Sequence, residues 1–290
     1  MVGGQGGAGR RPAELTEAEL AEAELTEAEP APAGPAADMR SAYGAAAAGW
    51  AAGPAQLYAP LARALIAAAP VPVAGRRVLD LGAGTGVAAR AALAAGAGRV
   101  VAADLAEAML RCAGPLQDPV VADAAALPFR DRAFDLVVAA FCLNHLDRPG
   151  EVLRELRRVG RGLAASTFEP GWTHPAKLAV DEALRSFGFQ PPAWYASMKR
   201  DAGPDALDRP RLRALAAGAG FTDVRVDALT VPTGLSTPAQ LASWRLGLAH
   251  IAPFVQSLDT ARRAAAWRAA EQAVAGTGPL VVSMLVLAAR

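Results

Sequence analysis

Residues 78–90 read VLDLGAGTGVAAR: an apolar run that closes on a carboxylate, then glycine at every second position, then small residues. Few folds accept such a stretch. The apolar run suits a strand covered on both faces, and the glycines let the backbone turn sharply with no side chains in the way. A strand therefore passes at once into a helix, whose N-terminal amides face whatever lies beyond the turn. From residue 76 onward short β-type runs alternate with helical ones, the pattern of parallel βαβ units. Strands are predicted at RRVLDLG (76–82), RVVAAD (99–104), PVVAD (119–123), FDLVVAAF (134–141) and GLAASTF (162–168), with helices over 86–96, 106–113 and 149–159. DRPRLRALAAGAGF forms a further helix, and TDVRVDALTV (222–231) and PLVVSMLVLAAR (279–290) complete seven strands. The expected fold class is α/β: a Rossmann-like, seven-stranded, mostly parallel sheet with helices on both faces.

Glycine spacing narrows the ligand. A dinucleotide site uses GxGxxG, with a pyrophosphate resting on the helix end. Here the glycines are Gly82, Gly84 and Gly86, spaced GxGxG around Ala83, and Asp80 stands two residues before the first. A carboxylate there repels phosphate and suits a cationic amine. That points to an amino-acid zwitterion joined to a nucleoside, as in S-adenosylmethionine. Asp104 closes the second predicted strand, where a carboxylate accepts hydrogen bonds from both hydroxyls of a ribose. Asp123 closes the third, placed to accept from an adenine amino group beside the Ala124 amide, with Leu105 and Met109 able to sandwich the ring. One acidic residue at a strand end is ordinarily a solvated one. Three at successive strand ends form a pattern.

Composition excludes several other classes. The net charge of +1 is uneven: residues 1–37 hold seven Glu against Arg10 and Arg11, which leaves +6 on residues 38–290. No lysine-rich run or aromatic-basic interleaving marks a nucleic-acid platform, so a small-molecule partner is expected and nucleic acid is not. No apolar window reaches membrane-spanning length, and the N-terminus lacks a hydrophobic signal core. A cytoplasmic, non-membrane protein is the expectation, with oligomeric state left open. Three dispersed histidines and two cysteines give no metal-ligand spacing.

The tail, residues 1–37, carries a low-complexity Ala/Glu repeat. Its Leu15, Leu20 and Leu25 are five apart, about 500° around a helix, and so share no face. It reads as a disordered solvating segment, and residues 38–290 as one domain with its core motifs at 76–168. Two segments, about 169–207 and 238–276, break the alternation. They are expected to form a helical lid over the carboxyl ends of the strands.

VLDLGAGTG, VVAADLAEAML, DAAALPFRDRAFDLVVAAFCLNHL and EVLRELRRV together resemble the class I S-adenosylmethionine-dependent methyltransferases, in particular the small-molecule type similar to ubiquinone and menaquinone biosynthesis methyltransferases. The resemblance is dense over 76–168 and loose afterwards. It implies an antiparallel last strand and S-adenosylmethionine as cofactor. It also implies that Gly82, Gly84 and Gly86 line the methionine portion, Asp104 holds the ribose, and Asp123 with Ala124 reads the adenine. Phe141 and Asn144 would flank the sulfonium, and Tyr43 would lie over the cofactor. The Pro-Gly-Gly turn usual before the fifth strand is replaced by RRVGRGLAAS, which predicts a tighter loop.

Methyl transfer from a sulfonium needs alignment and dryness more than acid-base help, and no metal. If a hydroxyl is methylated, His145 or His174 is the candidate to take its proton. Trp172, Trp194 and Tyr195 are candidates for the acceptor wall. His250, in LGLAHIAPF, reads as core, and Cys142 as a small hydrophobe. The Asp/Asn-Pro-Pro-aromatic signature of base-amino methylation is absent after the fourth strand, where the chain reads FCLNHL. A cofactor-binding regulator without turnover, or an RNA or protein methyltransferase, are the rival readings.

Overall fold

The computed structural model describes residues 35–114, 118–198 and 206–290, so the predicted tail lies almost wholly outside the described residues. Its last residues, 35–37, instead open the first helix, with Pro35 at the start where a missing amide proton is harmless. In chain order the elements are α1 (Pro35–Ala52), α2 (Pro54–Ala67), β1 (Arg77–Leu81), α3 (Val87–Ala94), β2 (Arg99–Asp104), α4 (Glu107–Arg111), β3 (Asp118–Val121), β4 (Leu136–Ala140), α5 (Pro149–Val159) and β5 (Leu163–Phe168). They continue as α6 (Pro175–Arg185), α7 (Ala193–Met198), α8 (Arg209–Gly218), β6 (Arg225–Pro232), α9 (Pro238–Leu246), α10 (Ala252–Ser257), α11 (Thr260–Ala273) and β7 (Val281–Ala289).

The seven strands form one sheet in the order β3-β2-β1-β4-β5-β7-β6. β1 to β5 pair in parallel, and β7 runs antiparallel to both β5 and β6, as expected. Successive strand residues point to opposite faces, so Val78 and Leu79 belong to different cores. One core holds Val78, Val100, Leu136 and Val138 under α2, α3, α6, α9 and α11; the other holds Leu79, Leu81, Val137 and Leu163 under α5 and α8. With both faces covered, the central strands read as near-continuous apolar runs.

After β1 the chain crosses to β2 on one side, and later returns to β4 on the other. Open α/β sheets bind ligands at such a reversal, outside the carboxyl ends of the strands. Two expectations shift here. β3 stops at Val121, so Asp123 lies two residues beyond the strand, in a turn that bridges to Ala126. The two insertions are mostly core: Val180, Leu184, Leu241, Trp244, Ala266 and Ala270 are buried in the layer that α2 shares. α7 packs on α1, and α10 joins the two, with Ala252 toward α1 and Val255 in the shared layer. Burying these apolar helices against the sheet outweighs hanging them over its rim.

Candidate functional site

β1 brings Asp80 and the turn to the carboxyl edge of the sheet, between β2 and β4. Gly82, Gly84 and Gly86 have φ of 66°, 54° and 74°, the left-handed region that a side chain disfavours. A Cβ on Gly82 would also meet Cys142 Sγ at 2.9 Å, and one on Gly84 would meet Met109 Cε at 3.3 Å. Asp80 is 1% exposed, and its Oδ2 accepts the Ala89 amide of the first α3 turn at 2.7 Å. The amides of Gly84 and Gly86 are taken as well, by Asp104 Oδ2 at 2.7 Å and the Ala83 carbonyl at 2.8 Å. The protein's own carboxylate thus sits on the helix N-terminus where a dinucleotide's phosphate would rest.

Asp80 Oδ1 is buried without a hydrogen-bond partner, and burial pushes its carboxyl up to about 7. Burial likewise raises Asp104, against the pull of the backbone amides that its oxygens accept, Gly84 and Ala106 (2.8 Å) among them. Both carboxylates need a cation nearby to offset lost solvation.

The turn opens into a cavity of about 1110 Å³, its open mouth included. The cavity brings together Asp80, Gly82, Ala83 and Gly84 from the turn, Asp104, Leu105 and Met109 after β2, and Asp123 with Ala124 after β3. Phe141 and His145 line it from the β4 end, and Tyr43 from α1. The sequence-predicted Gly86 and Asn144 are not among the residues that line it. His174 does not join it: buried at 8% exposure, it caps α6 by accepting the Ala176 amide on Nδ1. Trp172, Trp194 and Tyr195 are also absent from the lining. Trp172 stacks on Phe168, Trp194 packs beside Tyr43, and Tyr195 stacks on His250.

Sequence reasoning missed Met39, Trp50 and Tyr58 on α1 and α2, and Thr85 in the turn, all of which line the cavity. Trp50 follows Tyr43 by seven residues, two helical turns, so the spacing already placed them on one face. Cys142, read as a small hydrophobe, lines the cavity too, and burial pushes its thiol up to about 12.

His145 differs most from expectation. Burial lowers its pKa to about 4, so at neutral pH the ring is uncharged and a poor proton acceptor. Its Nε2 lies 3.4 Å from the Tyr43 hydroxyl and 3.5 Å from Asn144 Nδ2, which can only donate. Phe141 adopts φ of 53°, rare for an aromatic residue, and its amide donates to the Ser166 carbonyl at 3.0 Å. Such strain concentrates at functional sites.

Residues 79–162 match the methyltransferase domain family. Over that segment the chain is similar to methyltransferases. It is 38% identical over 163 residues to the malonyl-[acyl-carrier protein] O-methyltransferase of Halorhodospira halophila, covering 53% of this chain and 54% of that protein. Against the demethylmenaquinone methyltransferase of Renibacterium salmoninarum it is 40% identical over 128 residues, 42% of this chain and 54% of the relative. The chain thus spans about half the length of these curated relatives. In fold it is similar to a protein from Anabaena variabilis ATCC 29413, described as a methyltransferase of an antibiotic biosynthesis pathway, at 15% identity, TM-score 0.56, 78% of this chain and 95% of that one.

The residues around the turn fit S-adenosylmethionine. The unpartnered Asp80 Oδ1 matches an ammonium group, and the oxygens of Asp104 keep lone pairs for ribose hydroxyls. Met109 and Leu105 provide apolar faces for a purine beside Asp123.

Proposed function

We propose that this chain transfers the methyl group of S-adenosylmethionine to a small organic acceptor held in the cavity. The observation that carries the reading is Asp80: a buried carboxylate occupies the helix N-terminus, which favours a cationic zwitterion and disfavours phosphate. Bound S-adenosylmethionine supplies a methyl group on a sulfonium that departs as a neutral thioether. The turn leaves space for the amino-acid part, Asp104 fixes the ribose, and Asp123 with Ala124 reads the adenine. Met39, Tyr43, Trp50 and Tyr58 wall the remaining space, hold the acceptor in line and exclude water. The relatives' names include both O- and C-methyltransferases, so they leave the methylated atom open. His145 serves here as a neutral partner that positions the Tyr43 hydroxyl, not as a base.

Calorimetry with S-adenosylmethionine, S-adenosylhomocysteine and NAD tests the reading. One equivalent of each of the first two should bind and NAD should not. NAD binding, or no S-adenosylmethionine binding at millimolar ligand, would overturn it. Binding with no labelled product across a broad acceptor panel would favour a regulator without turnover.

A further inference from the structure

The wall of the cavity built from α1, α2 and the β4 end is aromatic and uncharged. Tyr43, Trp50, Tyr58 and Phe141 all line it, with successive ring centroids 5.3, 5.4 and 5.2 Å apart, so the four rings form one continuous arc. Trp50 and Tyr58 are stacked, with planes only 10° apart. Among the described residues that line the cavity there is no arginine and no lysine. An acceptor that arrives as an anion, a carboxylate for instance, would find no cation to receive it. An alcohol would find only a weak base at His145, whose Nε2 already lies 3.4 Å from the Tyr43 hydroxyl and whose pKa burial lowers.

One class of nucleophile needs neither. We propose that the acceptor is an uncharged aromatic nitrogen base, an aryl amine or nitrogen heterocycle, and that the arc of Tyr43, Trp50, Tyr58 and Phe141 holds the cation formed when its nitrogen is methylated. The nitrogen lone pair forms the new N–C bond as the S–C bond breaks, and that bond's electron pair passes to sulfur. The positive charge moves from sulfur to nitrogen, so the net charge in the cavity is the same before and after and no proton need leave within it. Aromatic faces attract cations, Trp most strongly, and stack on planar rings. This inference rests on the methyltransferase reading and adds the acceptor class.

The test is binding, with no turnover required. The full chain, saturated with S-adenosylhomocysteine, is titrated calorimetrically with three probes of one shape: the 1-methylquinolinium cation, neutral 1-methylnaphthalene and the 1-naphthoate anion. The cation should bind at least about tenfold tighter than the neutral probe, and naphthoate the most weakly. Trp50→Leu should shrink the cation's advantage to under about threefold, while Trp50→Phe, which keeps a ring, should retain part of it. Naphthoate binding as tightly as the cation, or no preference in the wild-type chain, overturns the proposal; so does a preference unaltered by Trp50→Leu. S-adenosylhomocysteine failing to bind would overturn the methyltransferase reading itself. If it binds and the cation preference is missing, only the acceptor class falls.

Discussion

Asp104 gives the most severe test of the cofactor assignment. Its oxygens accept the Gly84 and Ala106 amides at 2.7 and 2.8 Å, and in the proposed reading they also take the two ribose hydroxyls. A hydrogen bond to a charged group contributes about 1.5–3 kcal/mol, so two are worth about 3–6 kcal/mol, or two to four decades of affinity. Asp104→Ala removes both, yet it also unties Gly84 and so loosens the turn. A lower affinity alone would therefore not separate contact from loop damage. A double-mutant cycle does: S-adenosylhomocysteine and its 2′,3′-dideoxy analogue are each titrated calorimetrically into wild type and Asp104→Ala. Wild type should prefer the natural ligand by at least about thirtyfold, and the variant by less than about threefold, a coupling of at least about 1.4 kcal/mol. Loop damage weakens both ligands equally and cancels in the cycle. Penalties that add to within about 0.5 kcal/mol would refute the ribose assignment, whatever the variant's affinity.

Gly82→Ala, at φ 66° and with its new Cβ against Cys142 Sγ, should destabilise the chain by about 1–3 kcal/mol in urea titrations; an unchanged midpoint would show that the turn does not need the left-handed conformation. His145→Gln should lower turnover less than about tenfold, whereas a loss of about a hundredfold or more would restore His145 as a base. Asp80 and His145 should pull stability in opposite directions with pH. Asp80, raised from 3.8 to about 7, contributes on the order of 4 kcal/mol that is complete below its unfolded value and lost as pH rises through 7. His145, lowered from 6.5 to about 4, contributes on the order of 3 kcal/mol that is present above 6.5 and lost as pH falls through 4. Urea midpoints should thus fall on acidification from pH 7 to 5 in Asp80→Asn and rise in His145→Gln; parallel curves in the two variants would refute both assignments.

The strands and the glycine turn that floors the cavity were legible because they are local. β2 and α5 have the bounds their sequence predicts, and Asp80, Gly82 and Gly84 sit within five residues of one another. Asp104 could be placed because β2 is the parallel neighbour of β1, with Asp80 opposite Ala102. The rest of the cavity wall is assembled from residues as far apart as Met39 and Leu146, and nothing local says that α1 folds over the turn. The lid aromatics were misplaced for the same reason. Trp172 and Trp194 look like site residues in an irregular segment, but Trp172 stacks on Phe168 at the end of β5, and Trp194 packs on its neighbour Tyr195 and on Tyr43 of α1, a contact that only the tertiary fold supplies. The pKa of His145 was out of reach because it depends on burial among α1 and the β4 end.

The floor and the wall of the cavity therefore differ in origin and in charge. Asp80 and Asp104 lie on adjacent paired strands, so their separation is fixed by the sheet register and barely adjustable. Both are desolvated, and a carboxylate without solvent or a cation is unstable in its charged form. A ligand bearing an ammonium and a sulfonium supplies that missing charge, so donor binding relieves the floor and is coupled to the ionisation of Asp80. The wall presents Tyr and Trp rings from helices outside the sheet, where substitution alters shape without moving either carboxylate. Electrostatics favour loading the donor first: the floor then holds its cation, and the neutral wall receives an acceptor without competing charges. An acceptor that entered first would leave two buried carboxylates uncompensated beneath it.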